Sequence, residues 1–302
     1  MPVSLTDEVR TSCALIAERA TAVRIDEDAL VRVGVEPGPT ADPVLDARHH
    51  LIDGERPDIA MAMLIGNAVN FGSGWFPTLR KRVDPATGRP VSGSITMSWS
   101  LTEHHRAHGV WTAAQLRTLR TDALAAVLKQ EADHELISLY AQALRSLGRF
   151  LGARSAVDVI DEAEGSAVAM ATALADGMAL FADRGFYKRA QIAANDLALA
   201  GVASFTDLDD LTIFADNLVP HVLRCEGVLV YDELLAAHID EGRLLTAGAW
   251  EREIRGCAVH ACERLADRLG VPPRTLDTWL WTRGQDPVFK ARPRHRCRCV
   301  WY

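Results

Sequence analysis

The sequence predicts a mainly α-helical fold: a single compact helical domain over residues 1–302 with a minor β-hairpin near residues 82–99. Three observations predict it. Apolar residues recur every three to four positions along most of the chain, the spacing of helices that bury one face. Glycine and proline, 21 and 13 of 302 residues, punctuate that pattern without clustering, which excludes collagen-like and low-complexity chains. No internal repeat, coiled-coil run or polar linker divides the chain.

The elements follow in order. Thr6 is placed to cap a first helix carrying Val9, Cys13 and Ile16 on one face. After Pro57-Asp58, the segment from Ile59 to Phe71 is apolar nearly all round and reads as a buried central helix, broken at Gly72-Ser73-Gly74. Between Lys81 and Trp99, the turn Asp84-Pro85-Ala86-Thr87-Gly88 and the alternating Ser94-Ile95-Thr96-Met97 predict the hairpin. Thr112 with Gln115 is a capping-box pattern, and helices follow at about 122–130, 132–148, 155–164 and 166–182. Phe186 to Leu199 is helical and ends at Gly201. Thr206 is expected to cap a further helix, with Asp207, Asp209 and Asp210 at its positive end. Val228-Leu229-Val230 is a short strand candidate. A long helix spans about 248 to 268, Gly270 terminates it, and Pro272-Pro273 opens the next, Arg274 to Trp281.

Charge and composition narrow the function. Forty acidic against 33 basic side chains give a net charge of −7, whereas a duplex nucleic-acid binder needs a cationic surface to displace counterions. No nucleic-acid partner is expected. The longest apolar stretch, Ser166 to Ala182, is interrupted by Asp176 and is too short to span a bilayer, so no membrane association is expected either. The first residues lack a basic stretch followed by an apolar core, so no secretory signal is expected. Cys13, Cys225, Cys257, Cys262, Cys297 and Cys299 are irregularly spaced, which fits reduced, mostly buried thiols in a cytoplasmic protein.

Several residue groups have the chemistry of sites. His104 and His108 share a helical face at the spacing of a two-histidine metal site, but the string His-His-Arg-Ala-His lacks the glutamate of a zincin. His295, Cys297 and Cys299 lack a second cluster, so neither a metal nor any other cofactor is expected. No P-loop, dinucleotide fingerprint or nucleophile elbow is present. Asp216 ends an apolar stretch beside Pro220, where a carboxylate is either a helix cap or a buried functional group. Asp277 stands among Leu276, Trp279, Leu280 and Trp281; it either complements a helix dipole or forms a desolvated site. Lys188 and Arg189, after Phe186-Tyr187 at a helix start, could hold a phosphate or form a solvated basic turn.

At these residues the chain resembles the queuosine salvage family, whose members are queuosine 5′-phosphate N-glycosylases. The matching strings are Phe186-Tyr187-Lys188-Arg189-Ala190-Gln191-Ile192, Phe214-Ala215-Asp216 with Pro220, and Glu253-Ile254-Arg255-Gly256-Cys257. Leu276-Asp277 with Leu280-Trp281, and His295-Arg296-x-Arg298-Cys299 with Trp301-Tyr302, complete them. The match is dense over 186–302 and thinner over 1–185, where His49 or His50, Asn70-Phe71 with Trp75, and Ser92-Gly93 before Trp99 carry it.

The resemblance implies a helical fold similar to helix-hairpin-helix DNA glycosylases. It also implies hydrolysis of the N-glycosidic bond of queuosine 5′-monophosphate, releasing the deazaguanine base queuine. It assigns the catalytic carboxylate to Asp277 and a base-holding role to Asp216. Thr212, Phe214, Trp281, Asn70, Phe71 and Trp75 are implied substrate contacts, and Lys188, Arg189 and His50 are candidates for the 5′-phosphate. Two departures stand out. The family reads Asn-Phe-x-Phe-Trp where this chain has Asn70-Phe71-Gly72-Ser73-Gly74-Trp75, and its Leu-Trp-Asp becomes Leu280-Trp281-Thr282. Rival readings are a non-catalytic queuine or nucleoside binder, a DNA-lesion glycosylase and a metal-dependent hydrolase around His104 and His108.

Overall fold

The computed structural model describes residues 3–33 and 45–302, and among them fifteen α-helices and one two-stranded sheet. The first half holds α1 (Leu5–Arg19), β1 (Val23–Ile25), α2 (Glu27–Arg32), α3 (Arg56–Ala68), α4 (Gly93–His108), α5 (Ala113–Arg117), α6 (Thr121–Leu128) and α7 (Glu135–Leu151). Next come α8 (Ala156–Glu162), α9 (Ala167–Gly177), α10 (Lys188–Leu199), α11 (Val219–Cys225) and β2 (Leu229–Tyr231). The chain continues through α12 (Glu233–Asp240), α13 (Ala249–Leu269), α14 (Pro273–Arg283) and α15 (Pro287–Lys290).

The periodic apolar positions explain the layout. Val9 and Cys13 of α1 are fully buried, as are Ile254, Ala258, Ala261 and Leu265 of α13, and the two helices pack together. Ile59 to Ile65 of α3 is buried on every side, so α3 runs through the middle of the molecule, flanked by α4, α7, α8 and α10. One apolar cluster runs continuously from Leu5 to Tyr302. Strands β1 and β2 pair antiparallel, with Val23 opposite Tyr231 and Ile25 opposite Leu229. The short-strand expectation at 228–230 therefore holds, with its partner at Val23–Ile25 near the start of the chain.

Four local expectations are corrected. The hairpin near 82–99 reduces to its turn and a single bridge, Val83 with Pro90. Residues 94–97 belong to α4, because Ser92 caps that helix by accepting the Ile95 N–H at 3.2 Å. Thr96, Met97, Ser100 and Leu101 then fall on one buried helical face, and over so few residues this period overrides the alternation. The cap of α1 is Ser4, not Thr6, which is buried within the first turn. Thr206 caps no helix: only a 3-10 turn, Leu208–Asp210, follows it, and Asp207 instead accepts the Ala167 N–H at the start of α9. The helix expected over 166–182 stops at Gly177 and resumes as a 3-10 turn, Ala179–Phe181. The Thr112 capping box and the Gly270 left-handed C-cap are present as read.

Candidate active site

Three segments far apart in sequence converge: the start of α10, the loop 211–218 and the first turns of α14. Each is positioned by an identifiable device. Tyr187 takes a left-handed conformation, φ 48°, at the head of α10, a strained choice for a residue with a Cβ. It is held there by its buried ring and by its hydroxyl, which donates to Glu8 at 2.8 Å. Lys188 is therefore the first residue of α10. The buried Arg255 of α13 pairs with Asp183 and with Glu251, and its Nε donates to the Ala215 carbonyl at 2.9 Å. One guanidinium thus braces both the approach to α10 and the loop beside Asp216. Gln191 does the same from α10, accepting the Thr212 N–H at 2.9 Å and donating to the Thr212 hydroxyl at 2.9 Å.

Asp277 is 7% exposed, and its Oδ1 accepts the Phe214 N–H at 2.8 Å. It lies inside α14, past the first turn, so the helix-dipole reading of this residue gives way to a buried acid. Burial pushes its carboxyl well above the ordinary range, and the nearby charge of Asp216 pushes further; the Phe214 N–H and Lys188 oppose them. Asp216 is half-buried, and its Oδ1 accepts the Leu218 and Val219 N–H groups at 2.7 and 3.1 Å. It thus takes up N–H groups at the head of α11, and it also faces Asp277 and Lys188 electrostatically.

Lys188 is 5% exposed, and among the described residues its ammonium reaches only the Asn70 carbonyl, at 3.5 Å. Burial lowers its pKa, and Asp216 and Asp277 counter that, with Arg189 acting against them. A fourth charged group, Asp196, lies two turns further along α10. Its Oδ2 accepts from the Asn67 amide at 2.9 Å, and burial raises its pKa against the pull of Asn67, His50 and Lys188. Three carboxyl groups thus share one ammonium in a poorly hydrated space. Burial disfavours the charged forms of Asp277 and Asp196 in particular.

The remaining sequence candidates divide into two sets. Phe214 joins the site through its backbone, Thr212 through Gln191, Asn70 through Lys188, and His50 through its charge on Asp196. Trp281, one helical turn beyond Asp277 on the same face of α14, is 40% exposed and leaves its ring open to a ligand. Arg189, Phe71 and Trp75 are built into the core. The Arg189 guanidinium lies 4.6 Å from the Phe71 ring and 4.5 Å from the Phe181 ring. It donates to the carbonyls of Asn67, Ala68, Leu180 and Val300. Trp75 donates its indole N–H to Glu135 at 2.7 Å.

The glycine-rich departure has a steric reason. Gly72 adopts φ +115°, a region that side chains rarely enter. A Cβ on Gly74 would meet the Cys297 carbonyl oxygen at 2.5 Å. These glycines let the tail segment 295–302 lie directly on the 72–75 loop, where Gly72 N–H donates to the Tyr302 carbonyl at 2.9 Å. Sequence reasoning passed over Asp196 and Asn67, whose bond spans 129 residues and leaves no local signal. His104 and His108 stack at 4.9 Å with Trp111 alongside, and no third ligand joins them among the described residues.

The sequence model of the queuosine salvage protein family matches residues 64–302. The chain belongs to that family. Its relatives include the queuosine 5′-phosphate N-glycosylase/hydrolase of Sphaerobacter thermophilus, 32% identical over 319 residues and 97% of each chain. The mouse and Dictyostelium discoideum proteins of the same name are 36% and 35% identical, each over 39% of this chain and 40% of its own. Every part of the constellation, from Asn67 to Asp277, lies within the stretch that the queuosine salvage model matches, His50 excepted.

Proposed function

We propose that this chain hydrolyses the N-glycosidic bond of queuosine 5′-monophosphate, releasing queuine and ribose 5-phosphate. The observation that carries the reading is the buried Asp277 carboxyl, fixed by the Phe214 N–H to the loop that bears a second acid, Asp216. Cleaving a ribosyl C1′–N bond builds positive charge on the sugar ring, as in glycoside hydrolysis. A carboxylate preorganised in a dry pocket stabilises that charge far more strongly than in water.

Water supplies the oxygen that bonds C1′, and one of its protons ends on the departing base. The raised carboxyls of Asp277 and Asp196 give that transfer a local proton source. Asp216 keeps one oxygen for base N–H groups, and Trp281 offers a face for stacking. Lys188, which gives only one long bond to the Asn70 carbonyl among the described residues, is the cation for the 5′-phosphate; Arg189, whose donors are spent on carbonyls, is not. The ligand is a mononucleotide, so a net charge of −7 is no obstacle and nucleic acid is not the partner. Six free thiols suit a reducing compartment, and we place the protein in the cytoplasm.

The test is incubation of the purified protein with queuosine 5′-monophosphate and chromatography of the products. Equimolar queuine and ribose 5-phosphate are expected. Tight binding with no free base after prolonged incubation overturns the hydrolase reading in favour of a binding protein.

A further inference from the structure

Arg294 is half-buried and, among the described residues, has no hydrogen-bond or ion-pair partner. A guanidinium carries five N–H donors in a rigid fork and stays charged, and here no described residue takes any of them, so the fork is free for a ligand. Burial works against its charge, and Asp216 is the neighbouring group that favours it most. The backbone fixes this neighbourhood: Asn217, next to Asp216, donates its amide N–H to the carbonyl of His295, next to Arg294, at 3.1 Å. Asp216 in turn spends Oδ1 on Leu218 and Val219 and, among the described residues, leaves Oδ2 without a partner. An uncommitted acceptor and an uncommitted fork of donors therefore share one neighbourhood without bonding each other.

We propose that Arg294 is a specificity-determining residue that donates to the 6-oxo oxygen of a guanine-type base while Asp216 accepts from that base. This rests on the function proposed above. A guanine-type edge presents a carbonyl acceptor followed by ring N–H and amino donors, the complement of a guanidinium beside a carboxylate. An adenine-type edge puts an amino donor where the guanidinium needs an acceptor. The same contact bears on rate. When the C1′–N bond breaks, its electron pair leaves with the base, and conjugation carries negative charge onto the 6-oxo oxygen. A fixed cation there stabilises the transition state more than the ground state.

The experiment compares wild type with Arg294→Gln and Arg294→Lys on two pairs of probes. One pair is the 5′-monophosphates of 7-deazaguanosine and of its analogue lacking the 6-oxo group, read as kcat/KM. The other is the two free bases, read by calorimetry, which needs no turnover. Wild type is expected to favour the 6-oxo compounds by about 10- to 100-fold, the scale of one charge-assisted bond. Arg294→Gln loses most of that preference at an unchanged melting temperature, and Arg294→Lys keeps part of it. A preference that survives in Arg294→Gln, or an equal loss on both bases, overturns the assignment; so does a wild type indifferent to the 6-oxo group. A base-binding preference lost in Arg294→Gln, in a protein that never cleaves queuosine 5′-monophosphate, supports Arg294 and overturns only the hydrolase reading.

Discussion

The Asp277 carboxylate accepts the Phe214 backbone N–H at 2.8 Å, and Phe214 stands two residues before Asp216. One hydrogen bond therefore sets the spacing between an acid on α14 and an acid on the 211–218 loop. The bond uses an acceptor that survives when the carboxylate becomes an amide, so charge and geometry at this position can be varied separately.

Asp277→Asn keeps the Phe214 contact and removes the charge. The expected loss is about 10²–10³ in kcat, the usual cost of removing one preorganised electrostatic contact, with substrate affinity little changed. Single-turnover rates and calorimetric affinity check it. A variant that binds and turns over near the wild-type rate removes Asp277 from the mechanism.

The raised Asp277 carboxyl also predicts a stability signature. Its folded pKa lies above the unfolded value of about 3.9, so between those two values the folded chain holds a proton that the unfolded chain has released. That stabilisation is complete below about pH 3.9 and is lost as pH rises through the folded pKa. Asn carries no such penalty. The melting temperature of Asp277→Asn should therefore rise relative to wild type from about pH 4 towards neutrality. A constant difference across that range contradicts the assignment.

Lys188 should confer a requirement for the 5′-phosphate. Queuosine 5′-monophosphate is expected to exceed queuosine in kcat/KM by roughly 10- to 100-fold, the worth of one charge-assisted bond. Lys188→Met should fold, since an apolar chain of similar length replaces a costly buried ammonium, and should bring both substrates to the same low value. A variant that still discriminates places the phosphate elsewhere.

Arg189 should behave as scaffold. Arg189→Met leaves the carbonyls of Asn67, Ala68, Leu180 and Val300 without their donor, at about 1–3 kcal/mol for each group left unsatisfied. Chemical denaturation should show a loss of at least about 3 kcal/mol. A loss under about 1 kcal/mol, with a raised KM for the nucleotide, returns Arg189 to the ligand.

The helices were legible because their period repeats over many turns, as in α3 and α13. The strand expected at 94–97 failed because four residues of alternation weigh less than the Ser92 cap and the buried face that continues to Leu101. Asp277 was legible as an acid among the large apolar residues Leu276, Trp279, Leu280 and Trp281. Lys188 and Arg189 looked equivalent as adjacent cations at a helix start. A helix turns about 100° per residue, so one enters the acid cluster and the other the carbonyl cage, and packing alone decides which. Arg294 was invisible for a related reason: a missing partner has no signature in a linear string.

The tail that rests on the 72–75 loop has a consequence in time. The contacts that assemble the pocket close long stretches of chain: 63 residues between Phe214 and Asp277, 111 between Arg189 and Val300, 122 between Arg189 and Asn67. Loop-closure entropy delays such contacts relative to those within and between neighbouring helices such as α5 and α7. The pocket is thus among the last parts of the molecule to mature, and during refolding helical content returns ahead of catalytic competence.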